Sequence, residues 1–336
     1  MRKLFTATVA CALVSSGLWA GSASAQKYNL TVAGYSPGGL VSAIGQGMDA
    51  ALAAAFPGST ITYQTSSGGL ANAVALSQGK VPLAFMSDTE LAVVAKGKPP
   101  FKQPIANIRV LLSPYIGSSR FQVTHVLVNK SWADKYGIAT LADIAAKHPP
   151  MRIAVNRPGN MDGDVGLATL AAVGVTQDKI KSWGGQVVRA ASREMTSLML
   201  DRRIDAVIFG ISYNHASVRE MANGLDILML PMTQAAAEKV AEETGNKTCS
   251  VKAGEYSFLK QDTASVCVGL LLMARADMPE KEAYDITRGV FEQIEKFRSV
   301  HPLLKKVVTP QSLAQPAIVA FHPGAAKYLR EKGLLK

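Results

Sequence analysis

The feature that most constrains this chain is an alternation of strand-like and helix-like segments that runs through two cycles, separated by a break near residues 115–125. Tyr28 to Ala33 alternates apolar and polar at period two and ends in a Gly/Pro turn. Leu40, Ile44, Met48, Leu52 and Phe56 then recur every four residues, the spacing of one face of an amphipathic helix, which Pro57-Gly58 terminates. Ser59–Gln64 and Val81–Met86 read as further strands, each followed by a helix, and Asp88 stands where it would cap the helix Thr89–Ala95. Strands at Ile108–Pro114 and Phe121–Asn129 flank the break. The rhythm then resumes with strand Arg152–Val155, helix Val165–Val173, strand Gln186–Arg189, helix Arg193–Leu200 and strand Asp205–Phe209. Repeated β-loop-α units build parallel sheets covered by helices. Two such runs predict two α/β lobes joined by crossing strands.

Later segments read as a strand from Leu225 to Leu230, a helix from Thr233, a long apolar strand Ser265–Ala274, an amphipathic helix Ala283–Phe297 and a basic terminal helix Ala325–Lys332. This portion is expected to return to the first lobe. The predicted division is therefore 26–118 plus 225–336 for lobe 1 and 119–224 for lobe 2, with residues 1–25 a signal peptide.

That leader reads as a basic Met1-Arg2-Lys3 start, an apolar run from Leu4 to Ala20, and small residues at Ala23-Ser24-Ala25 before Gln26. The apolar run is shorter than the roughly 20 residues a membrane span needs. An exported, periplasmic location is the expectation. The formal charge is +11, and the leader removes only Arg2 and Lys3 from it. The excess suits an anionic ligand or acidic partner surface, and an exported chain with scattered Lys and Arg is no nucleic-acid binder. Five histidines stand far apart, without metal-ligand spacing, so neither a metal nor another cofactor is expected. Cys249 and Cys267 survive processing, either paired as a disulfide or as two buried thiols.

Three polar loops follow strands and open helices: Ser36-Pro37-Gly38-Gly39, Ser66-Ser67-Gly68-Gly69 and Asn156-Arg157-Pro158-Gly159-Asn160. The first N–H groups of a helix lack intrahelical partners and carry the positive end of its dipole, so such loops favour an anion. Arg157 is placed to add a bidentate clamp on a carboxylate. Tyr213 and Asn214, just past the Asp205–Phe209 strand, are placed to line the facing wall. Gly34-Tyr35-Ser36-Pro37-Gly38 also matches the G-x-S-x-G elbow of serine hydrolases. Pro37 has no N–H to offer the oxyanion hole that the elbow requires, so no enzyme is expected.

Several segments together carry a resemblance: Thr62 to Gly69 with Asn72 and Gly79, Leu83-Ala84-Phe85, Arg152 to Gly159, Ile204-Asp205-Ala206, Leu271 to Pro279, and His322 to Gly333. In consistent order across nearly the whole chain, they resemble the TAXI-type receptors, the solute-binding subunits of tripartite ATP-independent periplasmic (TRAP) transporters. The resemblance implies a type II periplasmic-binding-protein fold with hinge closure, ligands such as dicarboxylates and acidic amino acids, and a membrane permease as partner. It implies a pocket drawing on Ser36, Gly38, Gly39, Ser66, Ser67, Asn72, Ser87, Asn156, Arg157 and Asn160. The chain departs from the family pattern at Leu40-Val41-Ser42, at Asn160-Met161-Asp162 and at Tyr213-Asn214-His215. Asp162 there would repel a carboxylate or accept from an ammonium group. A receptor for a tripartite tricarboxylate-type permease and a periplasmic sensor component are the alternative readings.

Overall fold

The computed structural model describes residues 26–115, 122–158, 160–213 and 215–336. The expected signal peptide, Gly159 and Asn214 lie outside the described residues. The strands are β1 (Asn29–Ala33), β2 (Thr60–Gln64), β3 (Leu83–Ser87), β4 (Ile108–Tyr115), β5 (Gln122–Asn129), β6 (Arg152–Val155), β7 (Gln186–Arg189), β8 (Ala206–Ser212), β9 (Ile227–Met229), β10 (Lys247–Val251), β11 (Thr263–Val268) and β12 (Leu270–Arg275). They form two sheets. One runs β2-β1-β3-β12-β4; the other runs β10-β11-β5-β8-β6-β7, with β9 also paired to β5.

In the first sheet β1 pairs in parallel with β2 and β3, while β12 runs antiparallel between β3 and β4. β3 is buried along its whole length, as a strand covered on both faces must be. Apolar clusters fill both faces. On one, Ile44, Met48 and Leu52 of the helix Leu40–Ala55 pack with Ile286 and Val290 of the helix Glu280–Glu292 and with Phe297 and Leu329. The predicted four-residue stripe is thus the buried face of its helix. On the other, Leu70, Ala73 and Leu76 from the helix Gly69–Ser77 join Leu91 and Val94 from the helix Asp88–Lys96.

The second sheet is covered in the same way. The helix Met161–Ala171 contributes Val165 and Ala168 to one face, with Ala237 and Val240 of the helix Gln234–Thr244. The helices Ser192–Leu200 and Ala216–Gly224 bury Met195, Met199, Val218 and Met221 on the other.

Two adjacent crossings join the lobes. One runs from Tyr115 to Gln122 through residues 116–121, which lie outside the described residues; the Tyr115 hydroxyl donates to Gln122 Oε1 at 2.7 Å. The other is Gly269. Val268 pairs with Gln122 on one side of it, and Leu270 pairs with Ser87 and Tyr115 on the other. The long apolar strand expected at Ser265–Ala274 is therefore two strands in two sheets.

This corrects the predicted lobe division. The chain does not return to lobe 1 at 225. β9 and β11 both pair with β5, and β10 pairs with β11, so lobe 2 runs continuously to Val268. Period and composition identify a strand but carry no record of which sheet supplies its partner. Two smaller corrections follow from helix ends. Ala283–Phe297 divides into Glu280–Glu292 and Ile294–Ser299. Ser87, not Asp88, caps the helix Asp88–Lys96, because its side chain accepts from Glu90 N while the Glu90 side chain reaches back, which completes a capping box. The alternatives left open for the cysteines resolve as a disulfide, Cys249–Cys267, linking β10 to β11.

A continuous lobe with paired ends should fold alone. A fragment of residues 122–268 is expected to give a cooperative thermal melt by circular dichroism, whereas 119–224, stripped of β9, β10 and β11, is expected not to. A cooperative melt for the shorter piece would contradict this assignment.

Candidate functional site

The two lobes meet across the carboxyl ends of β1, β2 and β3 on one side and of β6, β7 and β8 on the other. Each sheet has a topological switch point there, where neighbouring strands send their helices to opposite faces and leave a crevice. In lobe 1 it lies between β1 and β3, whose pairing comprises Val32↔Leu83 and Ala33↔Ala84. In lobe 2 it lies between β6 and β8, paired at Ile153↔Ala206 and Ala154↔Val207.

The lobe 1 crevice is organised by Glu90, which is 1% exposed. Its Oε2 accepts from the Tyr35 hydroxyl, from Ser87 N at 2.9 Å and from Ser87 Oγ at 2.8 Å; its Oε1 accepts from Gly69 N at 2.9 Å. One carboxylate therefore ties the loops after β1, β2 and β3 together. A Cβ on Gly69 would fall 2.1 Å from Glu90 Oε2, so only glycine admits this approach. Burial and the neighbouring Glu90 push the Tyr35 hydroxyl well above its ordinary pKa, so it stays a donor. Asn72 Nδ2 bridges the strands, donating to Gly34 O and Phe85 O at 2.8 Å each. Sequence reasoning missed Glu90 as a site organiser; its one signal was the Ser-x-x-Glu spacing of Ser87 and Glu90.

The residues expected to bind ligand divide into three groups. Ser36, Gly38 and Ser67 are exposed, and nothing approaches a Cβ placed on Gly38 or Gly39, so this loop surface is open. Ser66 and Ser87 lie within the framework: Ser66 Oγ donates to Gly34 O at 2.6 Å and accepts from Gly68 N, while Ser87 caps its helix. In lobe 2, Asn160 caps the helix Met161–Ala171 by accepting from Asp162 N, and buried Asn156 donates to Asp162 Oδ2 at 3.2 Å.

The side chain of Arg157, expected as a carboxylate clamp, is 61% exposed and pairs with Glu194 at 2.6 Å, another exposed group. The Tyr213 hydroxyl donates to Ser250 O at 3.1 Å, and its ring lies among His125 and Tyr256, on the β10 side of the lobe.

Asp162 occupies the lobe 2 crevice. Beyond the stretch paired with β6, Gly210 of β8 donates its N–H to Asp162 Oδ1 at 2.5 Å. A Cβ on Gly210 would come 2.6 Å from that oxygen. Burial, with Glu90 of the opposite lobe as a lesser contributor, pushes the Asp162 carboxyl up to about 7. The preceding residue, Met161, packs against the lobe 1 cluster of Leu70, Ala73 and Leu91, so the lobes touch at this helix start. At the hinge, burial pushes the Asp88 carboxyl up to about 6; its backbone N–H donates to Gly269 O.

Two α/β lobes joined by adjacent crossings, with loops facing one another across the gap, form the fold of the periplasmic solute-binding proteins. Solved structures share it. MatC from Rhodopseudomonas palustris, with bound malate, superposes with a TM-score of 0.54 at 13% identity over 82% of this chain and 88% of that one. PhnD1 from Prochlorococcus marinus, in complex with methylphosphonate, gives 0.53 at 11% identity over 91% and 98%. The binding component of an ABC phosphonate transporter from Pseudomonas aeruginosa gives 0.52 at 11% over 92% and 86%. The chain belongs to the NMT1-like family, whose model matches residues 32–333. Among the described residues, no helix is long and apolar enough to cross a membrane and no cluster of metal-binding side chains occurs.

Two substitutions test this geometry. Glu90→Ala leaves the Gly69 and Ser87 N–H groups and the Tyr35 hydroxyl without their acceptor, and is expected to lower unfolding free energy by about 3 kcal/mol in urea denaturation. Arg157→Ala removes an exposed pair worth about 0–1 kcal/mol, and is expected to lower unfolding free energy by no more than about 1 kcal/mol in the same measurement.

Proposed function

We propose that this protein is an extracytoplasmic solute-binding receptor of the TAXI type, which captures a small carboxylate or amino acid between its lobes and presents it to a TRAP-type permease. The observation that carries this reading is the opposition of two switch-point crevices across adjacent crossings, at Gly269 and between Tyr115 and Gln122. Ligands of open α/β sheets bind in such crevices, and a gap between two lobes joined by two short crossings closes by hinge rotation. The sequence resemblance to TAXI receptors supports the subfamily and the TRAP partner. Malate and methylphosphonate, bound by proteins of the same fold, support a small ligand with acidic groups. The open Ser36–Gly39 and Ser67 loop surfaces, with Gly39 and Gly68 as the N-caps of their helices, are the proposed anion contacts of lobe 1. In this reading residues 1–25 direct export and are removed.

A thermal-shift screen of the purified protein against carboxylates, amino acids and their amides tests the proposal. A ligand at about a thousand times its dissociation constant adds roughly 4 kcal/mol to the folded state, which corresponds to a rise of order 10 °C for lobes of this size. A saturable rise is expected with one chemical class. Turnover of a small ester that disappears in Ser36→Ala would overturn the receptor reading.

A further inference from the structure

The acceptors and donors at the two crevices are unevenly matched. Asp162 has hydrogen bonds from Gly210 N and Asn156 Nδ2, one to each oxygen, and a carboxylate accommodates about four. Among the described residues Asp162 has no ion pair. The nearby cations are engaged elsewhere: Arg157 on Glu194, and Arg189 Nη1 on the carbonyls of Asn156 and Gly163. The Glu90 carboxyl of lobe 1 adds, after burial, a lesser upward push on the Asp162 carboxyl. In the same lobe 1 crevice Asn72, 1% exposed, has its Oδ1 buried without a hydrogen-bond partner, while its Nδ2 holds Gly34 O and Phe85 O.

Acceptors without matching donors therefore stand on both sides of the place where the lobes touch. An anion brought beside ionised Asp162 would meet like charge. A donor brought there would supply what Asp162 and Asn72 lack.

We infer that the ligand presents a protonated amine to Asp162, with Asn72 Oδ1 as a second acceptor, so that the receptor takes an amino-bearing small molecule such as an amino acid rather than a simple dicarboxylate. This rests on the receptor reading above and names the ligand class of the same site. The ammonium binds between the switch points and leaves the ligand's acidic groups to the open loops and helix N-termini. A partly buried acid held against its own ionisation chiefly by burial is stabilised as the anion once a cation arrives.

The test uses matched probes that differ by one amine: L-aspartate against succinate, and L-glutamate against glutarate, with 1,4-diaminobutane as an amine lacking carboxylates. Thermal shift and isothermal titration calorimetry are expected to show binding of an amine-bearing probe and at least tenfold weaker binding of its counterpart. Asp162→Asn is expected to weaken the amine probe at least tenfold. Because the amine requires ionised Asp162, wild-type affinity should rise between pH 6 and pH 8, and the Asn variant should lose that rise. Its unliganded melting temperature and far-ultraviolet spectrum report whether it folds. Asp162→Glu, which keeps the charge, should retain the preference for the amine at reduced affinity.

Succinate or glutarate binding as tightly as its amino counterpart would overturn the inference and leave the receptor reading standing. Dicarboxylate binding that tightens as pH falls would do the same, with protonated Asp162 acting as donor. Wild-type affinity of a folded Asp162→Asn variant for the amine probe would also overturn it. If neither member of any pair binds and the diamine fails too, the inference falls together with the ligand class proposed above.

Discussion

The Glu90 carboxylate is the interaction on which the lobe 1 wall depends. Three loops that follow three different strands have no covalent reason to hold fixed positions relative to each other. Each brings a donor, Tyr35 Oη, Gly69 N or Ser87 N, to the same buried group. Because Glu90 lies in the first turn of the helix Asp88–Lys96, its charge also sits at the positive end of that helix dipole. The same residue that completes a helix cap thus fixes the geometry of the wall a ligand would meet.

The hinge follows from a comparable economy of elements. β3, β4 and β12 converge on Ser87, Tyr115 and Leu270, and β11 ends two residues before Leu270, where Val268 pairs with Gln122 at the start of β5. Gly269 carries the chain from one sheet to the other, and its carbonyl accepts from Asp88 N. The Cys249–Cys267 disulfide lies two residues from this crossing. It fastens the β10–β11 hairpin that continues into the crossing at Gly269.

Much of the fold was legible in the sequence. The four-residue stripe from Leu40 to Phe56 and the period-two strands have local causes: side-chain direction alternates in strands and recurs every 3.6 residues in helices. The loops predicted to face ligand do lie at the carboxyl ends of strands, since a β-loop-α unit leaves no other place for them. The roles of single side chains were less legible. Ser66 and Ser87 look as available in sequence as Ser36 and Ser67, yet two are framework and two are open. Nothing local to Arg157 shows that Glu194, thirty-seven positions away, comes beside it.

The sequence by itself determined two α/β units and their strand-ending loops, because these rest on periodicity, turn chemistry and short motifs. Tertiary structure alone decided where lobe 2 ends, which serines are occupied, that Cys249 meets Cys267, and that Met161, beside Asp162, packs against the lobe 1 cluster. Those outcomes depend on which sheet a strand joins and which distant groups a fold brings within a few ångströms. Local sequence does not encode that, because pairing partners are selected by the whole chain's burial of apolar surface and satisfaction of its polar groups.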